Sequence, residues 1–177
     1  MMTPELPEVR AAIRSIPDFP VPGILFRDIT PVLQDPRLFQ QTVEALTAYA
    51  RRRGAEVIAG VESRGFMFGA PVALAMGLPF VPVRKKGKLP ADTESVEYAL
   101  EYGTAEIEIH KDAVRPGQRV LVLDDLLATG GTAAAAVELV EKIGGTVAGI
   151  AFVIELVGLR GREKLAGRDV AAFVRYE

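Results

Sequence analysis

A chain of 177 residues, 49% of them apolar and 25% charged, suits one domain with a sizeable core. A net charge of −2 gives an ordinary soluble composition, with too little basic character to point to nucleic acid or a membrane surface as partner. The absence of cysteine excludes disulfides, thiolate zinc sites and a cysteine nucleophile.

Taken from the start, M-M-T-P-E-L-P-E lacks the apolar core of a signal peptide, so a cytoplasmic protein is expected. Leu6, Val9 and Ile13 recur at helical spacing and predict an amphipathic helix over residues 4–15. A proline-punctuated loop, F-P-V-P-G-I-L-F-R-D-I-T-P, follows. Asp35 before Pro36 reads as a cap and first turn of a helix that runs to Arg53 and stops at Gly54. The three arginines at 51–53 fit the C-terminal end of that helix.

V-I-A-G-V at 57–61 is a short buried strand, and E-S-R-G then leads into a helix ending at Met76. Residues 65–83 carry no charge, but Gly69, Pro71, Gly77, Pro79 and Pro82 interrupt them. A buried helix and a buried strand fit that pattern better than a membrane span. Residues 85–104 are polar and turn-rich, and A-E-I-E-I-H alternates like a half-exposed strand. His110, the sole histidine, should then be solvated beside Glu106 and Glu108. R-V-L-V-L at 119–123 is a buried strand, followed by a helix whose face carries Ala133, Ala136, Val137, Val140 and Ile143. T-V-A-G-I-A-F-V-I and D-V-A-A-F-V are the last strands. Continuous apolar strands alternating with helices predict an α/β domain, its parallel sheet covered on both faces.

Ligands of such sheets collect at the carboxyl ends of the strands. There the strand at 119–123 delivers Asp124 and Asp125, followed by the turn A-T-G-G-T at 128–132. The turn opens a helix whose first amides lack partners, and glycines allow an anion to approach the backbone. No lysine and too few residues separate it from a Walker loop, so a terminal monophosphate is the expected guest. The acids would repel that phosphate and must meet vicinal hydroxyls or a hydrated Mg²⁺ instead. A ribose 5-phosphate satisfies both halves. A capped helix beside a solvated acid pair is the plainer alternative.

Val120 to Thr132 resembles the phosphoribosyl pyrophosphate signature of the type I phosphoribosyltransferases. Residues 17–33, E-S-R-G-F-M-F-G at 62–69, V-R-K-K-G-K-L-P at 83–90, L-E-Y-G-T-A-E-I-E-I at 100–109 and G-R-E-K-L at 161–165 narrow the resemblance to the adenine phosphoribosyltransferases. The resemblance implies the type I fold, a parallel twisted sheet flanked by helices, as a single domain over residues 1–177. Residues 1–33 would form the N-terminal helix and base-binding loop, and residues 85–104 a mobile hood or lid.

The implied reaction joins adenine to the phosphoribose of phosphoribosyl pyrophosphate, giving AMP and pyrophosphate with Mg²⁺. By resemblance, Ala128, Thr129, Gly130, Gly131 and Thr132 hold the 5-phosphate, and Asp124 and Asp125 the ribose hydroxyls. Ser63, Arg64, Arg84, Lys85 and Lys88 correspond to pyrophosphate contacts, with a cis peptide expected at Ser63–Arg64. Leu25, Phe26 and Arg27 correspond to base contacts, with Leu156 on the other ring face. Glu101 corresponds to the acid–base residue, with Tyr102 beside it; Tyr98 has no role in this reading. No direct protein ligand for the metal is implied. The family pairs as homodimers, and the apolar run 65–83 is more surface than one small sheet would bury. A 6-oxopurine transferase and a non-catalytic nucleotide sensor of the same fold are the competing readings.

Overall fold

The computed structural model describes residues 5–99 and 103–177. Its elements in chain order are α1 (Pro7–Ala12), β1 (Arg14–Pro17), β2 (Leu25–Asp28), α2 (Thr30–Gln34), α3 (Pro36–Arg52), β3 (Val57–Val61), α4 (Arg64–Met76) and β4 (Phe80–Lys85). They continue with β5 (Thr93–Ala99), β6 (Thr104–His110), β7 (Arg119–Leu127), α5 (Gly131–Lys142), β8 (Thr146–Leu156) and β9 (Val170–Tyr176). Among the described residues, seven strands form one sheet in the order β5-β6-β4-β3-β7-β8-β9, and β1 and β2 form a separate hairpin. The strands from β4 to β9 in that order are parallel, and β6 and β5 add an antiparallel edge.

Alternation along the central strands divides the core. Leu121 and Leu123 of β7 face a layer with Leu46 of α3 and Phe68 and Val72 of α4. Val120 and Val122 face the opposite layer with Ala136, Leu139 and Val140 of α5. Both faces are therefore covered, which is why these strands read as unbroken apolar runs. α3 starts as its sequence demands: the Asp35 carboxylate accepts the N–H groups of Arg37 and Leu38 at 2.9 and 3.2 Å. No helix among the described residues is long and apolar enough to cross a membrane.

Several expectations need correction. The first helix is shorter than residues 4–15, because Arg14–Pro17 pair with Leu25–Asp28 and draw the chain into a hairpin. Within the polar, turn-rich stretch 85–104, β5 pairs with β6 along its whole length and forms the sheet edge. β6 is not half exposed: Ile107, Glu108 and Ile109 are all buried, the isoleucines in the core and Glu108 beneath residues 87–89. His110 is half-buried, with its Nε2 unpaired, rather than solvated. β7 does not end at Leu123 but continues past the acids to Leu127, pairing with β8. The cis bond is Glu62–Ser63, one peptide earlier than expected, since Ser63 already caps α4 and its next peptide enters the helix.

Candidate active site

At the carboxyl ends of β3, β4 and β7 the sheet opens into a cavity of about 560 Å³. Glu62, Ser63 and Arg64 form one wall, Lys85 and Lys88 another, and Asp124, Asp125 and Thr132 the floor. A side cavity of about 70 Å³ adjoins it, lined by Ala128, Thr129, Gly130, Gly131 and Thr132 and sharing Asp124. The predicted phosphate turn and acid pair thus sit together.

Backbone geometry shapes the turn. Gly130 caps α5 with φ +80°, and a Cβ there would lie 2.3 Å from the Gly161 carbonyl oxygen. No other residue fits, and the first amides of α5 are left facing the side cavity. Gly65 does the corresponding work on the other wall. A Cβ on it would lie 2.8 Å from the Leu123 carbonyl oxygen and 3.0 Å from Asp124 Oδ1. Its absence lets α4 begin against the end of β7.

That approach brings Arg64 to Asp125, with Nε 2.6 Å from Oδ2. Asp125 is only 4% exposed, and its N–H donates to Asp124 Oδ1 at 2.8 Å. Burial, and then the adjacent Asp125 charge, push the Asp124 carboxyl well above the usual carboxylate range. Burial also raises Asp125, against the pull of Arg64. The pair is therefore under-compensated and suits a guest that brings hydroxyl donors or positive charge.

Glu62 organises the cationic wall. It accepts from Arg84 Nη2 at 2.7 Å and from the Lys85 N–H at 3.0 Å. The hydrogen bond from Arg84, then that from Lys85, hold its carboxyl below the ordinary value. Arg84 also donates to the Lys88 carbonyl at 3.0 Å, so its guanidinium lies beside the cavity and braces the loop. Lys85 and Lys88 line the cavity itself.

The model of the phosphoribosyl transferase domain matches residues 33–174. The adenine phosphoribosyltransferase of a Synechococcus strain is 54% identical over 96% of this chain and 99% of its own. The crystal structure of the adenine phosphoribosyltransferase from Thermoanaerobacter pseudethanolicus superposes with a TM-score of 0.93 at 54% identity, covering 96% of this chain and 99% of that one. The chain belongs to the adenine phosphoribosyltransferase family. The Saccharomyces cerevisiae adenine phosphoribosyltransferase, complexed with the bisphosphate D-DIAB and adenine, is 42% identical with a TM-score of 0.90 over 94% of this chain and 97% of that one.

In this member of the adenine phosphoribosyltransferases, a further cavity of about 420 Å³ lies between the hairpin and the end of β8, walled by Leu25, Arg27, Leu156, Leu159 and Tyr176. Leu25 is opposite Pro17, which has no N–H to offer its carbonyl. The Arg27 guanidinium lies 3.8 Å from the centre of the Tyr176 ring. Phe26 packs edge-on against Phe19 at 5.1 Å and beneath Arg64 at 5.5 Å, which puts it beside the cationic wall.

Glu101 and Tyr102 lie outside the described residues. Tyr98, given no role by the sequence, lines the main cavity with its hydroxyl 3.1 Å from Thr132 Oγ1. The signal was present: Tyr98 is two residues after the buried Val96, on the same face of β5. Glu155, next to Leu156 on β8, is held by Arg162 at 2.7 and 2.8 Å.

Proposed function

We propose that this chain transfers phosphoribose from phosphoribosyl pyrophosphate to adenine, releasing AMP and pyrophosphate in purine salvage in the cytoplasm. The carrying observation is the acid pair, Asp125 buried and Asp124 half-buried, set between a glycine turn that opens a helix and a cationic wall. Residues 128–132 hold the 5-phosphate on their amides, and Asp124 and Asp125 accept from the ribose hydroxyls. Arg64, Lys85 and Lys88 meet the pyrophosphate, with Ser63 beside them. Arg84 holds Lys88 in place through its carbonyl.

Adenine N9 attacks C1 of the ribose as the bond from C1 to the pyrophosphate oxygen breaks. C1 becomes oxocarbenium-like, and the carboxylates at 124 and 125 stabilise that charge. Glu101 takes the N9 proton, with Tyr102 beside it; His110 does not line the cavity. Leu25 reads the amino and N1 edge with its backbone, with Phe26, Arg27 and Leu156 around the base.

Among the described residues no three His, Asp or Glu side chains cluster as a metal cage. Two adjacent carboxylates and a diphosphate nonetheless suit Mg²⁺, which keeps several waters and shares its ligands with substrate phosphates. Bound there, it would neutralise the leaving group, with Asp124 and Asp125 reaching its water shell.

The test is pyrophosphate release with Mg²⁺, phosphoribosyl pyrophosphate and each purine in turn. Adenine should exceed hypoxanthine by at least about a hundredfold, because a reversed hydrogen-bond edge leaves buried groups unpaired. Comparable use of hypoxanthine overturns the assignment. A homodimer belongs to the same reading, with α4 as the natural face: Leu74 is 85% exposed and Met67 41%. Light scattering at micromolar concentration should give twice the chain mass.

A further inference from the structure

Glu108 is 3% exposed and stands on β6 opposite Arg84 of β4 and Ser95 of β5. Its carboxylate is satisfied mainly by main chain. Oε1 accepts the N–H groups of Lys88 and Leu89, each at 2.9 Å, and Oε2 accepts the Thr93 hydroxyl at 3.2 Å. Burial raises its pKa, but the N–H groups of Leu89, Gly87 and Lys88 and the Thr93 hydroxyl outweigh that, leaving the group charged.

A buried charge is an expensive way to hold a turn whose amides could face water, so its use calls for a reason. The reason lies in what the turn carries. The Lys88 N–H is held by Glu108, and its carbonyl by Arg84 Nη1 at 3.0 Å. Arg84 is itself fixed by Glu62 at 2.7 Å. Both peptide groups of Lys88 are thereby clamped, while its side chain remains at the cavity wall.

We infer that Glu108 is a positioning residue for the transfer, aiming Lys88 at the pyrophosphate by clamping the main chain of the 87–89 turn from beneath. The inference rests on the proposed function, which assigns that wall to pyrophosphate. It also carries a sign that separates it from plain electrostatics. Removing a negative charge near an anion should tighten anion binding; loosening the turn should weaken it.

The experiment measures dissociation constants of magnesium pyrophosphate and of AMP for four proteins: the unaltered chain, Glu108→Gln, Lys88→Ala and the double variant. Glu108→Gln should weaken pyrophosphate about tenfold, as expected when charge-assisted hydrogen bonds become neutral ones. AMP binding should stay within about twofold, since its subsites do not use this turn. In the Lys88→Ala background the same change should add nothing. Tighter pyrophosphate binding, equal loss of both ligands, or full additivity with Lys88→Ala would each overturn the inference. If Glu108→Gln does not fold, Thr93→Val serves instead. It should show a selective pyrophosphate loss of about threefold, the worth of one modest hydrogen bond, and an unselective loss refutes the role. An unaltered chain that binds neither ligand defeats the functional reading itself, whereas binding of both with an additive cycle defeats only the role of Glu108.

Discussion

The turn at residues 128–132 and the loop at residues 84–89 line adjoining cavities, yet main chain shapes the first and carboxylates hold the second. The turn needs a positive φ at Gly130, close contact with Gly161 and the free amides of α5. The loop needs Glu62 and Glu108, which reach it from other strands. A main-chain cradle suits an anion that stays in place through the proposed reaction. Ammonium groups on a braced loop suit an anion that must arrive, gain charge and leave. The acid pair lies between the two and belongs to both, since Asp125 stands near the end of β7 and meets Arg64 of α4.

Substitutions can break or sharpen this contrast. Glu101→Ala should have the largest effect, lowering turnover by about 10²–10⁴, the worth of a placed acid or base. Binding of phosphoribosyl pyrophosphate should change little, because an acid–base group for the purine is not a phosphate ligand. Poor binding with normal saturated turnover would instead make Glu101 a binding residue.

Asp125→Asn removes a pre-placed charge from the joint between the halves and should cost on the order of 10²–10³ in rate with the fold intact. Unchanged activity with the same Mg²⁺ dependence would reduce the acid pair to a helix-end feature.

Gly130→Ala tests the cradle alone. A shifted turn misplaces the 5-phosphate, and a displacement of about 1 Å can cost 10²-fold in rate. Ribose 5-phosphate binding should fall while pyrophosphate binding persists. Equal loss of both would show that the two halves are one unit.

The smallest effect is expected on stability, where Asp124→Asn should act with the opposite sign. The folded carboxyl is raised above its ordinary value of 3.8, so the folded state disfavours the charged form. That penalty is absent well below the ordinary value and grows as pH rises through the raised one. The variant should therefore melt higher than the parent at neutral pH, by about 2–4 °C per kcal/mol relieved. The difference should vanish toward acid. A lower midpoint at neutral pH would mean that Asp124 is already stabilised as an anion.

How much of this could be read in the sequence depended on distance along the chain. β3 and α4 lie where the apolar run, the E-S-R-G break and the glycine stop predicted them. The cradle was legible because its acids, glycines and helix start are consecutive. Glu108 was misread because strict alternation in A-E-I-E-I-H implies a wet face. The 87–89 turn, folding back 20 positions away, covers that face. Tyr98 was given no role because its partner Thr132 is 34 positions distant.

The sequence by itself determined the α/β alternation, the buried strands and the phosphate turn with its two acids. Each is a local pattern of polarity or backbone freedom spanning a few residues, and local sterics and burial suffice to produce it. Only the tertiary structure decided that Arg64 meets Asp125, that Glu62 braces Arg84, and that Glu108 holds the main chain of Lys88. These pairings follow from strand order and register, which place side chains distant in sequence within 3 Å of one another. Periodicity along one segment carries no information about which segment will lie beside it.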